Sequence, residues 1–122
     1  MIQIFAISIL LRNPVLAPNN HLIADYSATL QESRIGKAQN FARQVAEKAN
    51  GGLSKYRAEP SMFGDPRLSP YRDNGDGSWT FTFLGGTPGS ANYSIESVVT
   101  ISRDFSRMTL DYNGPIRSKI NQ

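Results

Sequence analysis

The chain has 122 residues, of which 39% are hydrophobic and 19% are charged, and it contains no cysteine. That length suits one domain, and the composition excludes collagen-like, coiled-coil and broadly disordered chains. Without cysteine the chain cannot form a disulfide or present a thiol nucleophile, and its formal charge of +3 is a weak indication of an anionic partner. The basic residues are dispersed along the chain, which disfavours nucleic acid as that partner.

The first predicted element is a strand over residues 2–11, within the apolar N-terminal run MIQIFAISILL. No Lys or Arg precedes the run, as a signal peptide would require, and the run is too short for a membrane-spanning helix. The alternative is the remnant of a longer or misplaced N-terminus. A strand that is apolar on both faces can also pair with the sheet edge of another chain, so a homodimer through this edge is one expectation.

One long helix is predicted after a loop. Residues 12–24 contain two prolines and three asparagines, which favour the loop. The helix is expected over residues 27–50 and should end at the glycine pair 51–52. Its apolar positions recur at helical spacing and form one stripe: Leu30, Ile35, Ala38, Phe41, Ala42, Val45 and Ala49. We expect that stripe to pack on a sheet, with Gly36 marking a close approach between the two.

The spacing of the apolar residues changes to every second position after the helix. It predicts strands over 53–59, 78–84, 92–102 and 107–113, with a mostly irregular segment over 60–77. The last three strands alternate apolar and polar side chains, which is typical of an antiparallel sheet with one packed and one solvated face. Glu96 falls on the solvated face in this pattern.

The predicted fold is therefore α+β: one long helix packed on a curved, mainly antiparallel sheet of four or five strands. We expect a single domain over residues 1–114 and an exposed C-terminal tail over 115–122. The order β-α-β-β-β-β resembles the cystatin-like architecture. The Gln-x-Val-x-Gly hairpin of inhibitory cystatins does not occur in this sequence, so the resemblance implies a fold and not an activity.

No motif in the sequence indicates catalysis. His21 is the only histidine and falls in the predicted loop, where solvation is more common than a role as general base with Asp25. Residues 73–77 (DNGDG) place glycine where a calcium loop needs oxygen ligands, so they predict a turn. The glycine-rich link 85–89 lacks the lysine and the helix of a phosphate-binding loop. We therefore expect no metal site and no cofactor, and we favour a non-catalytic protein.

The candidate contact surface is the loop 60–72 (PSMFGDPRLSPYR) together with the turn 85–89. The candidate binding residues are Met62, Phe63, Leu68, Tyr71 and Arg72. Apolar residues exposed on a long loop are common in binding sites, and they predict a small interaction module with a protein partner. The alternative role for this loop is a lid folded over the open end of the core.

A second hypothesis is a small-molecule-binding protein or enzyme with its ligand between helix and sheet. Trp79, Phe81, Phe83 and Tyr93 would line that pocket. An enclosed cavity with polar groups would support this hypothesis, and a solid core would support the interaction module.

Overall fold

One long helix packs against a five-stranded antiparallel sheet, which confirms the α+β class. The computed structural model describes residues 16–117, with side chains from Ile23 onward. Its elements are α1 (Leu16–Ala49), β1 (Arg57–Ala58), β2 (Tyr71–Asp73), β3 (Trp79–Gly86), β4 (Ile95–Ile101) and β5 (Met108–Pro115). Two short 3₁₀ turns, Pro60–Met62 and Pro66–Leu68, lie between β1 and β2. The predicted strand 2–11 lies outside the described residues.

Helix α1 begins at Leu16, well before the predicted start, so the prediction of a loop up to residue 24 was wrong. Pro18 is tolerated because it lies in the first turn, where its missing N–H removes no helical hydrogen bond. The chain divides into two compact units between Gln31 and Glu32. Within the first unit every side chain from residue 23 onward is exposed. Apolar spacing detects a helix by the stripe that it buries, so it did not detect the exposed part of α1 before residue 27.

The second unit contains the packed half of α1. Its buried positions are Ile35, Ala38, Gln39, Ala42 and Ala46. Ile35, Ala38 and Ala42 belong to the predicted stripe, and Gln39 and Ala46 join it. Leu30 and Ala49, which the stripe included, are exposed. The helix ends where the glycine pair predicts, because Gly52 adopts φ 94° and its N–H donates to the Glu47 carbonyl oxygen at 2.8 Å.

Strand β3 is the centre of the sheet. The order is β1-β3-β4-β5, and β2 also pairs with β3. Trp79, Phe81 and Phe83 alternate onto the helix side, as predicted, and each is at most 2% exposed. The predicted strand 53–59 is reduced to Arg57–Ala58, and β3 extends to Gly86, so the link that was predicted from residue 85 is shorter. Gly85 pairs with both neighbouring strands, and the position requires glycine because the ring of Tyr56 fills the space that a side chain would need.

Strand β5 departs from the predicted pattern. Leu110 is paired with Val99 and Met108 with Ile101, so both lie on the helix side of the sheet. Their partners are fully buried, but Leu110 and Met108 remain 38% and 40% exposed. The alternation correctly placed them on one face, but β5 is an edge strand and that face is not covered there. No helix within residues 16–117 is long and apolar enough to span a membrane.

Candidate functional site

The loop between β1 and β2 is fastened to α1. The Gln39 amide Nε2 donates to the carbonyl oxygens of Ser61, at 3.2 Å, and Gly64, at 3.4 Å. A Cβ at Gly36 would lie 3.2 Å from Cγ of Pro66. The close approach expected at Gly36 is therefore made to this loop and not to the sheet.

Two of the predicted contact residues are part of the packed structure. Met62, one of the predicted contact residues, is 0% exposed, and its side chain lies in the core, where the lid alternative would place it. Tyr71 is half-buried on β2, opposite Phe81, with 6.0 Å between the ring centroids.

The other three predicted residues lie at the surface in different settings. Leu68 is 79% exposed. The Arg72 Nε donates to Asn74 Oδ1 at 3.0 Å, within the β2–β3 hairpin. Phe63 is 40% exposed and differs from the others because charged side chains contact its ring. The five residues therefore do not form one surface.

The ring of Phe63 is contacted by two guanidinium groups. The Cζ of Arg57, from β1, lies 4.3 Å from the ring centroid, and the Cζ of Arg43, from α1, lies 4.5 Å from it. Such contacts are favourable because the ring face carries partial negative charge. They hold Phe63 in place while much of the ring stays open to solvent.

The two arginines differ in how their donors are used. Arg43 Nη1 donates to the Met62 carbonyl oxygen at 2.9 Å and to Asn40 Oδ1 at 3.0 Å, and its Nε lies 3.4 Å from a Glu47 carboxylate oxygen. Arg57 is exposed, and no described residue offers it a carboxylate. Arg43 is therefore a neutralised structural group, whereas Arg57 carries unneutralised charge.

A surface groove of about 280 Å³ opens beside Phe63, and we refer to it as the Phe63 groove. Its lining residues are Arg57, Ala58, Pro60, Phe63, Thr87, Gly89, Ser90 and Tyr93. It brings part of the predicted loop 60–72 next to the predicted turn 85–89. Arg57 and Tyr93 were not among the predicted binding residues. The signal that could have found Arg57 was its basic side chain in a strand, but its neighbours depend on the pairing of Arg57 with Gly86.

The interior between helix and sheet is filled with side chains. Trp79, Phe81 and Phe83 occupy it with the buried alanines of α1, and the Phe63 groove opens on the surface instead. Tyr93, expected to line an internal pocket with those rings, lies in the Phe63 groove instead.

A second groove, of about 400 Å³, lies on the sheet face remote from the helix and is polar. Its side chains largely satisfy one another: Thr100 Oγ1 lies 2.9 Å from Thr80 Oγ1 and donates to Asp111 Oδ2 at 2.5 Å. At the adjacent β4–β5 turn, hydrogen bonds from Ser106 and Ser102 lower the pKa of Asp104 to about 2. No group of three or more residues suited to holding a metal occurs in the part of the chain that the structure describes.

No protein-family model, curated protein or solved structure matches this chain. The cystatin-like order therefore gains no support from known proteins.

Proposed function

We propose that this protein is a non-catalytic binding module, and that the Phe63 groove binds an exposed segment of a protein partner. The segment would present a carboxylate to Arg57 and an adjacent apolar side chain to Phe63 and Tyr93. The observation that carries the proposal is the unneutralised guanidinium of Arg57, whose Cζ lies 4.3 Å from the centroid of the exposed Phe63 ring.

Arg57 lies over the Phe63 ring and meets no carboxylate of the described residues, so its N–H donors remain available to a ligand. A guanidinium that lies on a ring uses its face, while its N–H donors point outward in the plane. These donors match the two oxygens of a carboxylate, and the resulting hydrogen bonds are charge-assisted.

The open form of the groove favours a peptide side chain over an enclosed ligand. The groove, of about 280 Å³, lies open on the surface, whereas small-molecule sites usually enclose most of their ligand. Its lining includes the hydroxyls of Thr87 and Ser90 but no histidine or carboxylate that could activate them. These properties support binding rather than catalysis.

A homodimer through an edge strand is a separate proposal. The dimer was predicted from the apolar segment 2–11, which lies outside the described residues. The first strand of the cystatin-like order is the same segment. Strand β5 is the last strand of the described sheet, so its outer edge is available for pairing with another chain. Met108 and Leu110 on this strand are exposed and apolar. Sedimentation analysis of the wild type and of Leu110→Lys would test it, because a charge there should dissociate a β5-mediated dimer.

The binding proposal can be tested with peptides selected by the protein itself. A random dodecapeptide library displayed on phage would be panned against the immobilised full chain, and the enriched peptides synthesised for calorimetric titration. We expect the enriched sequences to place Asp or Glu beside an aliphatic or aromatic residue. Phe63→Ala should weaken their binding by at least about tenfold, since a buried aromatic contact contributes more than about 1.4 kcal/mol.

The matched control is Leu68→Ala, because Leu68 is an apolar residue of the same loop, 79% exposed and outside the groove. It should leave the affinity unchanged, and thermal unfolding should show that both variants are folded. The proposal is wrong if no peptide is enriched, if the enriched peptides lack acidic residues, or if the two variants bind them equally.

A further inference from the structure

Glu96 lies on the sheet face remote from the helix, where the strand pattern predicts solvated side chains. Its side chain is nevertheless only 2% exposed. A carboxylate removed from water is strongly destabilised unless charged or hydrogen-bonding groups surround it. The burial of Glu96 therefore indicates a site built around its charge.

Arg117 contributes three donors to that site. Its backbone N–H donates to Glu96 Oε1 at 2.9 Å, its Nη2 to Oε2 at 3.0 Å and its Nε to Oε1 at 3.4 Å. The side chain thus engages both carboxylate oxygens with the paired geometry of a guanidinium. A lysine ammonium cannot reproduce this arrangement, because it is a point charge without a planar fork.

Tyr112 forms the second wall of the site. The Cζ of Arg117 lies 3.8 Å from the Tyr112 ring centroid, and the Tyr112 hydroxyl donates to the Pro115 carbonyl oxygen at 2.6 Å. Tyr112 is a diagonal neighbour of Glu96 on the same face, since Glu96 is paired with Gly114. Gly114 leaves room for the ring, because a Cβ there would lie 3.2 Å from Tyr112 Oη.

The two halves of this arrangement are held to different degrees. Glu96 and Tyr112 are fixed by the register of β4 and β5, and the Glu96 side chain is almost completely buried. The Arg117 side chain is 52% exposed, and its neighbour Ile116 is 42% exposed. Glu96 and Tyr112 are therefore part of the sheet, whereas Arg117, which contacts them, is a half-exposed side chain that follows the last strand.

We propose that Glu96 and Tyr112 form a guanidinium-binding site, and that an arginine in an extended segment of a partner protein exchanges with Arg117 there. The required ligand group is a guanidinium, because the Arg117 side chain reaches both oxygens of the Glu96 carboxylate through Nη2 and Nε. This site shares no residue with the Phe63 groove, so the two proposals are independent and are tested by different experiments.

The test uses the full-length Arg117→Ala variant and the acetylated, amidated peptide Gly-Pro-Ile-Arg, which repeats residues 114–117. We expect the peptide to bind the variant and shift the Tyr112 ring resonances. The same peptide with lysine in place of arginine should bind at least about tenfold more weakly, since it loses the fork. The wild type should also bind more weakly, because its own Arg117 competes at high effective concentration.

The control is Arg117→Ala combined with Glu96→Gln, which should abolish the preference for arginine over lysine. Equal binding by the wild type and Arg117→Ala, or no discrimination between the peptides, would overturn the proposal. Arg117→Lys provides a second folded receptor if the alanine variant is unstable. Failure of both variants to fold would show that Arg117 is a fixed structural group and would also refute exchange.

Discussion

Phe81 and Phe63 show how one residue type serves two purposes in this molecule. Phe81, in the middle of β3, is 0% exposed and packs among apolar side chains of the core. Phe63, in the loop after β1, is 40% exposed and its ring contacts two guanidinium groups. The first ring completes a closed interior, and the second is held in position by charged side chains while part of it stays exposed to solvent.

The interior around Phe81 contributes to the stability of the fold, whereas the Phe63 groove is available for binding. On the helix side of the sheet, small residues of α1 pack with the aromatic rings in one buried cluster. At the Phe63 groove, Arg57 adds a charge that no described residue neutralises. We therefore expect substitutions in the interior to change the free energy of unfolding, and substitutions in the groove to change binding.

The largest effect is expected for Phe81→Ala. Removing a fully buried ring leaves a cavity among packed neighbours, which costs about 3–5 kcal/mol of unfolding free energy. Urea denaturation of the wild type and the variant would measure it. A loss below about 1 kcal/mol would mean that the interior can collapse around the cavity, and that the contrast with Phe63 is smaller than the burial indicates.

Gly85→Ala should have the next largest effect. A methyl group at Gly85 would collide with the ring of Tyr56, which is 1% exposed and cannot move without disturbing the core. Overpacking of this kind costs about 1–3 kcal/mol. Gly64→Ala is the matched control, because a Cβ at Gly64 meets nothing within 4 Å. Equal destabilisation by the two variants would contradict this packing.

Phe63→Ala should cost less than about 1 kcal/mol of unfolding free energy, because the ring is partly solvated and its contacts are at the surface. Urea denaturation of Phe63→Ala and Phe81→Ala in one series would compare the two losses of unfolding free energy directly. A loss as large as that of Phe81→Ala would show that Phe63 is a core residue and would remove the basis for the groove.

The smallest effect is a dependence of stability on pH at the β4–β5 turn. Asp104 Oδ1 accepts hydrogen bonds from the Ser106 hydroxyl at 2.7 Å, from the Ser106 N–H at 3.0 Å and from the Ser102 hydroxyl at 3.0 Å. These bonds lower the pKa of Asp104 from 3.8 to about 2.

Because the pKa of Asp104 is lower in the folded than in the unfolded chain, its contribution is complete above about pH 4 and is lost as the pH falls towards 2. Asp104→Asn should therefore flatten the acid side of the stability profile, as followed by thermal unfolding across that range. An unchanged slope would mean that other carboxylates account for the acid sensitivity.

The sequence predicts the packed parts of this fold well and the contacts of its loops poorly. Strands β3 and β4 and the end of α1 follow from alternation and from the glycine pair, which are local signals. The start of α1 was missed because prolines and asparagines there favour a loop, and because the exposed side chains of residues 23–26 give apolar spacing nothing to detect. The exposure of Met108 and Leu110 on β5 was not predicted, because alternation shows which face of the sheet a residue lies on but not whether other elements cover that face.

The candidate site was only partly predictable for the same reason. Phe63 could be proposed from its place in a long loop, but Met62, its neighbour in sequence, is in the core. The roles of Arg43 and Arg57 depend on long-range pairing that brings α1 and β1 to the same ring. The burial of Glu96 likewise depends on Arg117, which is distant in the sequence.

The most direct test of the central claim is a double-mutant cycle between Arg57 and the carboxylate of a selected peptide. Calorimetry would compare the wild type and Arg57→Ala, each with the acidic peptide and with its amide counterpart. We predict a coupling free energy of about 1 kcal/mol between the two changes, as for a charge-assisted pair at a partly open site. Additive changes, with no coupling, would contradict recognition of a carboxylate by Arg57.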